Sequence, residues 1–269
     1  MLALLIILLV LTAAYMLSVL GRSGHPGLEA LRQWNYAHRG LHDAARPENS
    51  MSAFRSALEA GYGIELDVHL LKDGNLAVIH DAALKRTTGA DGNIEDLTTQ
   101  QLCEYRLEGT SETIPTFRQV LDLFAGKAPL IIELKSVGNN YGVLCRTVCD
   151  ALSSYAGPYC IESFDPRCVY WFKKHAPQII RGQLTENFLA TKGGPMPWLL
   201  KFLLTHQFFN FLTRPDFVAY KFADRRRVSN WLVRKLWGIQ GVTWTLKNQA
   251  EHNTAIKEGW IPIFEDYTP

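Results

Sequence analysis

Two carboxylates stand two residues apart in the run Ile64-Glu65-Leu66-Asp67-Val68. Alternate side chains of an extended strand share a face, so Glu65 and Asp67 point the same way. A second run, Leu130-Ile131-Ile132-Glu133-Leu134-Lys135, repeats the pattern with Glu133 and Lys135 on one face. Both runs are otherwise apolar, as strands of a parallel sheet covered on both sides are. Three carboxylates and a lysine converging among such strands are costly to bury without compensation. A hard divalent cation, Ca²⁺, Mg²⁺ or Mn²⁺, accepts an all-oxygen shell, whereas Zn²⁺ prefers imidazole or thiolate. The competing reading is a structural ion pair between Lys135 and one of the acids.

His38-Arg39-Gly40 closes one short apolar run and His80-Asp81 another. That places both imidazoles at strand ends, on the rim where barrel enzymes keep their chemistry. Two histidines beside an arginine and a carboxylate cluster describe an acid–base pair around a bound anion. Arg39 and Lys135 suit phosphate oxygens, the arginine in bidentate fashion.

The elements that must position these groups alternate β-rich runs with helical spacing, the pattern of βα units around a parallel sheet. Strands are expected at residues 35–39, 63–68, 76–80, 130–135, 159–164, 179–184, 217–220, 241–245 and 261–264. Nine is one more than a (β/α)₈ barrel needs, and 217–220, of only four residues, is expected at the periphery. Helical spacing marks 50–60, 116–124, 141–154, 167–175, 226–236 and 247–257, with Asn49-Ser50 supplying an N-cap and Gly61 a stop. From Trp34 to Pro269 is 236 residues, close to the ~250 of such a barrel.

Ahead of the barrel, residues 2–20 carry no charge and are mostly Leu, Ile, Val and Ala. They read as one transmembrane helix, giving domains of 1–21 for the membrane segment, 22–33 for a flexible linker and 34–269 for the catalytic unit. Positive charge follows the helix only at Arg22 and Arg32, which leans the catalytic domain toward the cytoplasm. With 28 Lys+Arg against 26 Asp+Glu, net charge gives no reason to expect a nucleic-acid partner. Five cysteines without CxxC spacing suggest neither a disulfide framework nor a zinc site, but free thiols in a reducing compartment. Residues 195–212, after the sixth strand, are too apolar for an ordinary rim loop, and they read as a helix on the membrane interface or as a barrel helix facing the core. Downstream, Arg225-Arg226-Arg227, Arg234 and Lys235 suit anionic headgroups or a solvated helix face.

Taken in order, His38-Arg39-Gly40, Pro47-Glu48-Asn49-Ser50, Glu65-Leu66-Asp67-Val68, Asp73-Gly74, His80-Asp81, Arg86-Thr87-Thr88-Gly89, Ile114-Pro115-Thr116 and Glu133-Leu134-Lys135 resemble the motif series of glycerophosphodiester phosphodiesterases. The resemblance is specific from Trp34 to Lys135. It continues more thinly through Ser163-Phe164-Asp165, Val242-Thr243-Trp244-Thr245 and Asp266-Tyr267. It implies a TIM barrel, a divalent cation (Ca²⁺ or Mg²⁺, with Mn²⁺ as a third choice) held by Glu65, Asp67 and Glu133, and acid–base roles for His38 and His80. It also implies phosphate contacts from Arg39 and Lys135 and an aromatic wall from Trp244. Near its end the chain departs from the pattern, with Gly259 to Asp266 standing where the family has Asp-Gly-Ile-Ile-Thr-Asp.

The expected reaction is metal-dependent hydrolysis of a glycerol phosphodiester. One histidine takes a proton from the nucleophile and the other gives one to the leaving alcohol. Water and the glycerol 2-hydroxyl both remain open as first nucleophile, and so does the assignment of acid and base. Anchor and apolar segment favour a lipid substrate, a lysophospholipid or phosphatidylglycerol, over a soluble headgroup alone. The alternatives are a phospholipase D-like or phosphoinositide-lyase-like enzyme ending at a cyclic phosphate, or a catalytically silent, membrane-tethered binding module.

Overall fold

The computed structural model describes residues 1–190 and 196–269. Among them the strands are β1 (Tyr36–His38), β2 (Gly63–Leu70), β3 (Leu76–Val78), β4 (Leu130–Leu134), β5 (Tyr159–Ser163), β6 (Arg181–Thr185), β7 (Phe217–Lys221), β8 (Gln240–Leu246) and β9 (Trp260–Phe264). The helices are α1 (Leu2–Ser18), α2 (Leu28–Arg32), α3 (Met51–Glu59), α4 (Lys85–Thr88), α5 (Phe117–Phe124), α6 (Tyr141–Leu152), α7 (Pro166–His175), α8 (Trp198–Thr205), α9 (Asn210–Thr213), α10 (Val228–Trp231) and α11 (Gln249–Lys257).

Eight parallel strands close into a barrel, β1-β2-β4-β5-β6-β7-β8-β9, and β9 returns to pair with β1. The surplus strand is β3, not 217–220 as the sequence pattern suggested. β3 lies antiparallel on the far end of β2, with Val68 opposite Val78. The physical reason is loop length: a tight turn can join antiparallel neighbours, while a parallel crossover needs a dozen residues or more, and Leu70 to Leu76 leaves too few. β7, by contrast, pairs on both sides and buries Phe217, Val218, Ala219 and Tyr220 completely. Its Phe217 ring occupies the space over Gly182, where any Cβ would fall 2.1 Å from the ring.

Caps set where the helices begin. Ser50 Oγ accepts from Ala53 N at the start of α3, and Thr116 and Gln119 form a capping box on α5. The predicted helix at 226–236 divides into α10 and a π-helical turn over residues 232–236.

The N-terminal end of the barrel is closed by α2. Leu28 and Leu31 are buried among Tyr36, Ile131, Cys160 and Phe217. Within residues 22–33, expected to be a flexible linker, Leu28 and Leu31 are buried, while Ser23, Gly24, Pro26 and Glu29 are exposed. Arg22 makes a two-pronged ion pair with the fully buried Asp216, its Nη2 lying 2.6 Å from Oδ2, and Arg22 Nη1 donates to Pro177 O at 2.7 Å. Asp216 Oδ2 also accepts from Arg181 N at 3.0 Å.

α1 forms where a membrane-spanning helix was expected, but it is 17 residues long, and no helix among the described residues is long and apolar enough to cross a membrane. At ~1.5 Å per residue it measures about 25 Å. Its successor Val19 is buried against Val218, Val233 and Ile239, which removes one apolar residue from the expected span. Of the apolar segment 195–212, Pro195 lies outside the described residues. The rest divides: Leu204, Thr205 and Asn210 are buried, whereas Trp198 and Leu199 stand in solvent.

Asp216→Ala should strand the Arg22 guanidinium and one backbone N–H. A loss of about 2–4 kcal/mol in unfolding free energy by urea titration is expected, and a loss under about 0.5 kcal/mol would show that the 22–33 segment is held by apolar packing alone.

Candidate active site

Glu65 and Asp67 project from β2 into the C-terminal mouth of the barrel, and Glu133 joins them from β4 because the parallel register sets Asp67 opposite Glu133. All three are buried, and one oxygen from each lies within 4.8 Å of the others. Lys135 reaches into the cluster, with Nζ 3.0 Å from Asp67 Oδ1 and 2.7 Å from Glu133 Oε1. Arg39 approaches from the other side. Its Nε is 3.5 Å from Asp67 Oδ2, its backbone N donates to Glu65 Oε2 at 3.3 Å, and its Nη1 donates to Glu48 Oε1 at 2.9 Å. That bend is possible because Arg39 adopts a positive φ of 55° and Gly40 one of 85°, where a side chain would strike Ala53. Asn49 Nδ2 donates to Asp67 Oδ2 at 2.9 Å.

The electrostatics of the three acids differ. Burial raises the Glu65 carboxyl well above the ordinary range, and the neighbouring Asp67 and Glu133 raise it further. Burial also pushes Glu133 up to about 7, against the opposing pull of Lys135. For Asp67, burial opposes ionisation, but Lys135, His80 and Arg39 overcome it and hold the carboxylate charged. Among the described residues no Lys or Arg side chain lies within 4 Å of the Glu65 carboxylate. Three buried oxygen donors facing one lysine, and an arginine shared with Glu48, leave uncompensated negative charge, so the donor set fits a hard divalent cation.

Both histidines are backed by acids. His38 Nδ1 lies 2.9 Å from Glu265 Oε2 and His80 Nδ1 2.6 Å from Asp81 Oδ1. A carboxylate only accepts, so each Nδ1 donates and each neutral ring keeps a lone pair at Nε2. Burial lowers the pKa of both rings, partly offset at His38 by Glu265 and at His80 by Asp67. The backing acids are themselves tied down. Glu265 also meets His42 at 3.3 Å and Lys247 at 2.7 Å, while Arg86 bridges Asp81 and Glu48.

His38, Arg39, Glu65, His80, Glu133 and Trp244 all line one cavity, as expected from the sequence. Asp67 and Lys135 join it through the ion pairs described above. Trp244 packs edge-on against Phe164, ring centroids 5.8 Å apart, and both line this cavity. Glu265, Asp81, Arg86 and Glu162 join the site without a role evident from the sequence. Glu265 follows the last strand, which neighbours β1 only once the barrel closes. Glu162 sits opposite Glu133 in the β4–β5 register, fully buried, with Oε2 unpartnered in the same cavity. The available signal was parity, since Glu162 shares the face of Cys160 and Phe164 on a strand beside an acid-bearing one.

Residues 38–268 match the model of the glycerophosphoryl diester phosphodiesterase family. The chain belongs to this family. It is 36% identical over 173 residues to the glycerophosphodiester phosphodiesterase of Caldanaerobacter subterraneus subsp. tengcongensis, spanning 60% of this chain and 68% of that one. It is 41% identical over 165 residues to the enzyme of Bacillus altitudinis, spanning 57% and 67%. A lysophospholipase D of Rattus norvegicus is 36% identical over 121 residues, 40% of this chain and 37% of that one. Among solved structures, an Oleispira antarctica phosphodiesterase in complex with the product sn-glycerol-3-phosphate superposes with a TM-score of 0.71 at 23% identity, covering 87% of this chain and 93% of that one. That likeness establishes the shared barrel. The chain is thus an enzyme, a glycerophosphodiester phosphodiesterase.

Raised carboxyl pKa values make cation binding proton-linked. A folded-state pKa above the unfolded one stabilises the protein at low pH, and the benefit is lost as pH rises. For Glu133 the window runs from its ordinary 4.5 to about 7. Chelated protein should therefore lose stability across that window, and Ca²⁺ or Mg²⁺ should restore it while releasing protons at pH 7. Calorimetry in buffers of different ionisation enthalpy reads the release, and binding without it would contradict the assignment.

Proposed function

We infer that this phosphodiesterase is a membrane-associated, divalent-cation-dependent enzyme that hydrolyses glycerol phosphodiesters of the lysophospholipid or phosphatidylglycerol class. The observation that carries the reaction is the meeting of three buried carboxylates with two acid-backed histidines at one strand-end cavity. Glu65, Asp67 and Glu133 hold the cation, which when bound supplies positive charge to a phosphoryl oxygen.

Arg39 and Lys135 counter the remaining negative charge of the phosphodiester, and Trp244 and Phe164 flank the glycerol side. His38 and His80 divide the proton transfers. One takes a proton from the attacking hydroxyl through its free Nε2, and the other returns one to the departing alcohol. Glu265 and Asp81 keep the two rings in the required tautomer and stabilise whichever becomes imidazolium.

A lipid substrate and a membrane location are supported by α1, which is uncharged throughout and exposed from Met1 to Ala14, and by the exposed Trp198 and Leu199. The name of the Rattus norvegicus relative, a lysophospholipase D, points the same way. α1 falls short of a full crossing, but its uncharged, exposed stretch supports a role as a membrane anchor. Arg22 and Arg32 on its barrel side favour a cytoplasmic catalytic domain.

Purified full-length protein should be offered glycerophosphocholine and lysophosphatidylcholine, each with and without chelator. Release of choline from both, lost on chelation and in His38→Ala or His80→Ala by about two to four orders of magnitude, is expected. Accumulation of a cyclic phosphate would favour the lyase-like alternative, undiminished turnover after chelation would remove the cation, and cleavage of glycerophosphocholine alone would remove the lipid.

A further inference from the structure

The direction in which α1 leaves the barrel follows from its contacts. Val19 is buried against Val218, near the start of β7, and against Val233 and Ile239 just before β8. Its carbonyl accepts from Asn210 Nδ2 at 3.4 Å, and Arg22 N donates to Pro215 O at 2.8 Å. These partners all belong to the N-terminal end of the parallel strands. One turn earlier, Tyr15 packs on Phe208 with ring centroids 5.0 Å apart and lies beside Ser229 and Arg227. Arg227 follows the C-terminal end of β7, and Ser229 lies in the first turn of α10, which starts from that end.

From Val19 to Tyr15, α1 therefore climbs toward the strand-end rim. A straight helix continued to Met1 extends about 20 Å further, at ~1.5 Å per residue. All fourteen residues of that extension are exposed and none is charged. The free part of α1 stands on the catalytic side of the barrel.

The surface beside it has two further properties. Trp198 is 67% exposed and Leu199 60%, at the top of α8, while Val228 is 70% and Trp231 59% exposed at the top of α10. Phe202 and Phe208 connect the first pair to α1 through ring contacts. Between these apolar groups runs the turn Arg225-Arg226-Arg227. Arg225 is neutralised by Glu258 at 3.0 Å, but among the described residues Arg226 and Arg227 have no carboxylate within 4 Å. Arg226, Arg227, Trp231 and Lys235 share one shallow pocket. Exposed tryptophans interleaved with unpaired cations, around an apolar helix, match a bilayer surface with anionic headgroups.

We propose that the barrel sits with its catalytic rim against an anionic bilayer, α1 inserted and the Arg226–Arg227 turn and Trp231 seated among the headgroups. This rests on the membrane reading above and adds an orientation to it. A scissile phosphodiester would then enter the His38–His80 cavity from the lipid side, with no need to leave the membrane for bulk water.

An environment-sensitive fluorophore reads the orientation directly. In a Cys103→Ser background, which removes the exposed thiol, full-length protein is labelled at Val228→Cys on the rim or at Glu29→Cys on α2 at the opposite end. Each is mixed with vesicles of phosphatidylcholine alone or with phosphatidylglycerol, and vesicle association is scored by flotation. The expected result is a blue shift at position 228, larger with phosphatidylglycerol and reduced to the phosphatidylcholine level by Arg226→Ala/Arg227→Ala, with none at position 29. Protein that floats with the shift at 29, or at neither site, overturns the orientation while the membrane anchor stands. Protein that fails to float overturns both. A shift at 228 indifferent to phosphatidylglycerol overturns the headgroup contact.

Discussion

Asp67, Glu133 and Glu162 lie level with one another on three adjacent strands, with Glu65 one step below, in a barrel mouth where water is largely excluded. Like charges this close cannot all be ionised in such surroundings without cations held against them. The local structure answers that constraint. Lys135 extends the β4 alternation by one more inward position, the left-handed turn at Arg39 brings a guanidinium over Asp67, and Asn49 donates to its remaining side. Asp67 stays charged as a result, and Glu65, Glu133 and Glu162 are the acids whose ionisation burial resists. A cluster with that unequal division is organised for a further positive charge.

The same cations and acids position the histidines. Glu48 receives both Arg39 and Arg86, and Arg86 in turn holds Asp81 against His80. On the other flank, Glu265 joins the end of the last strand to His38 on the first. The β1–β9 pairing that closes the barrel is thus also what brings Glu265 to the His38 ring. Glu265 is held ionised by His38, His42 and Lys247 despite its burial, so it can balance a proton gained by His38.

Much of this was legible in the chain. Strand parity alone put Glu65, Asp67, Glu133 and Lys135 on inward faces, and a barrel-strand end located His38, whereas His80 reaches the same rim because antiparallel β3 runs back toward Asp67, Ile79 N donating to Asp67 O at 3.1 Å. What escaped depended on closure or on competing burial. Glu265 is remote from His38 in sequence, and it lies in the segment that departs from the familiar motif. Residues 217–220 looked dispensable because they were short, whereas loop length between β2 and β3 already excluded a parallel β3. The 22–33 segment has a linker's composition, yet Arg22 finds Asp216 and Leu28 and Leu31 find the open end of the barrel. Composition reports the cost of ordering a segment and is silent about the partners that offset it.

We assign the buried carboxylate cluster as a cation site. Diffraction from crystals grown with Mn²⁺, recorded at the manganese edge, tests it without recourse to activity. Expected is a single anomalous peak enclosed by the oxygens of Glu65, Asp67 and Glu133, lost in Glu65→Gln. A map with no peak there, while Lys135 alone bridges Asp67 and Glu133, would reduce the cluster to a structural ion pair and contradict the assignment.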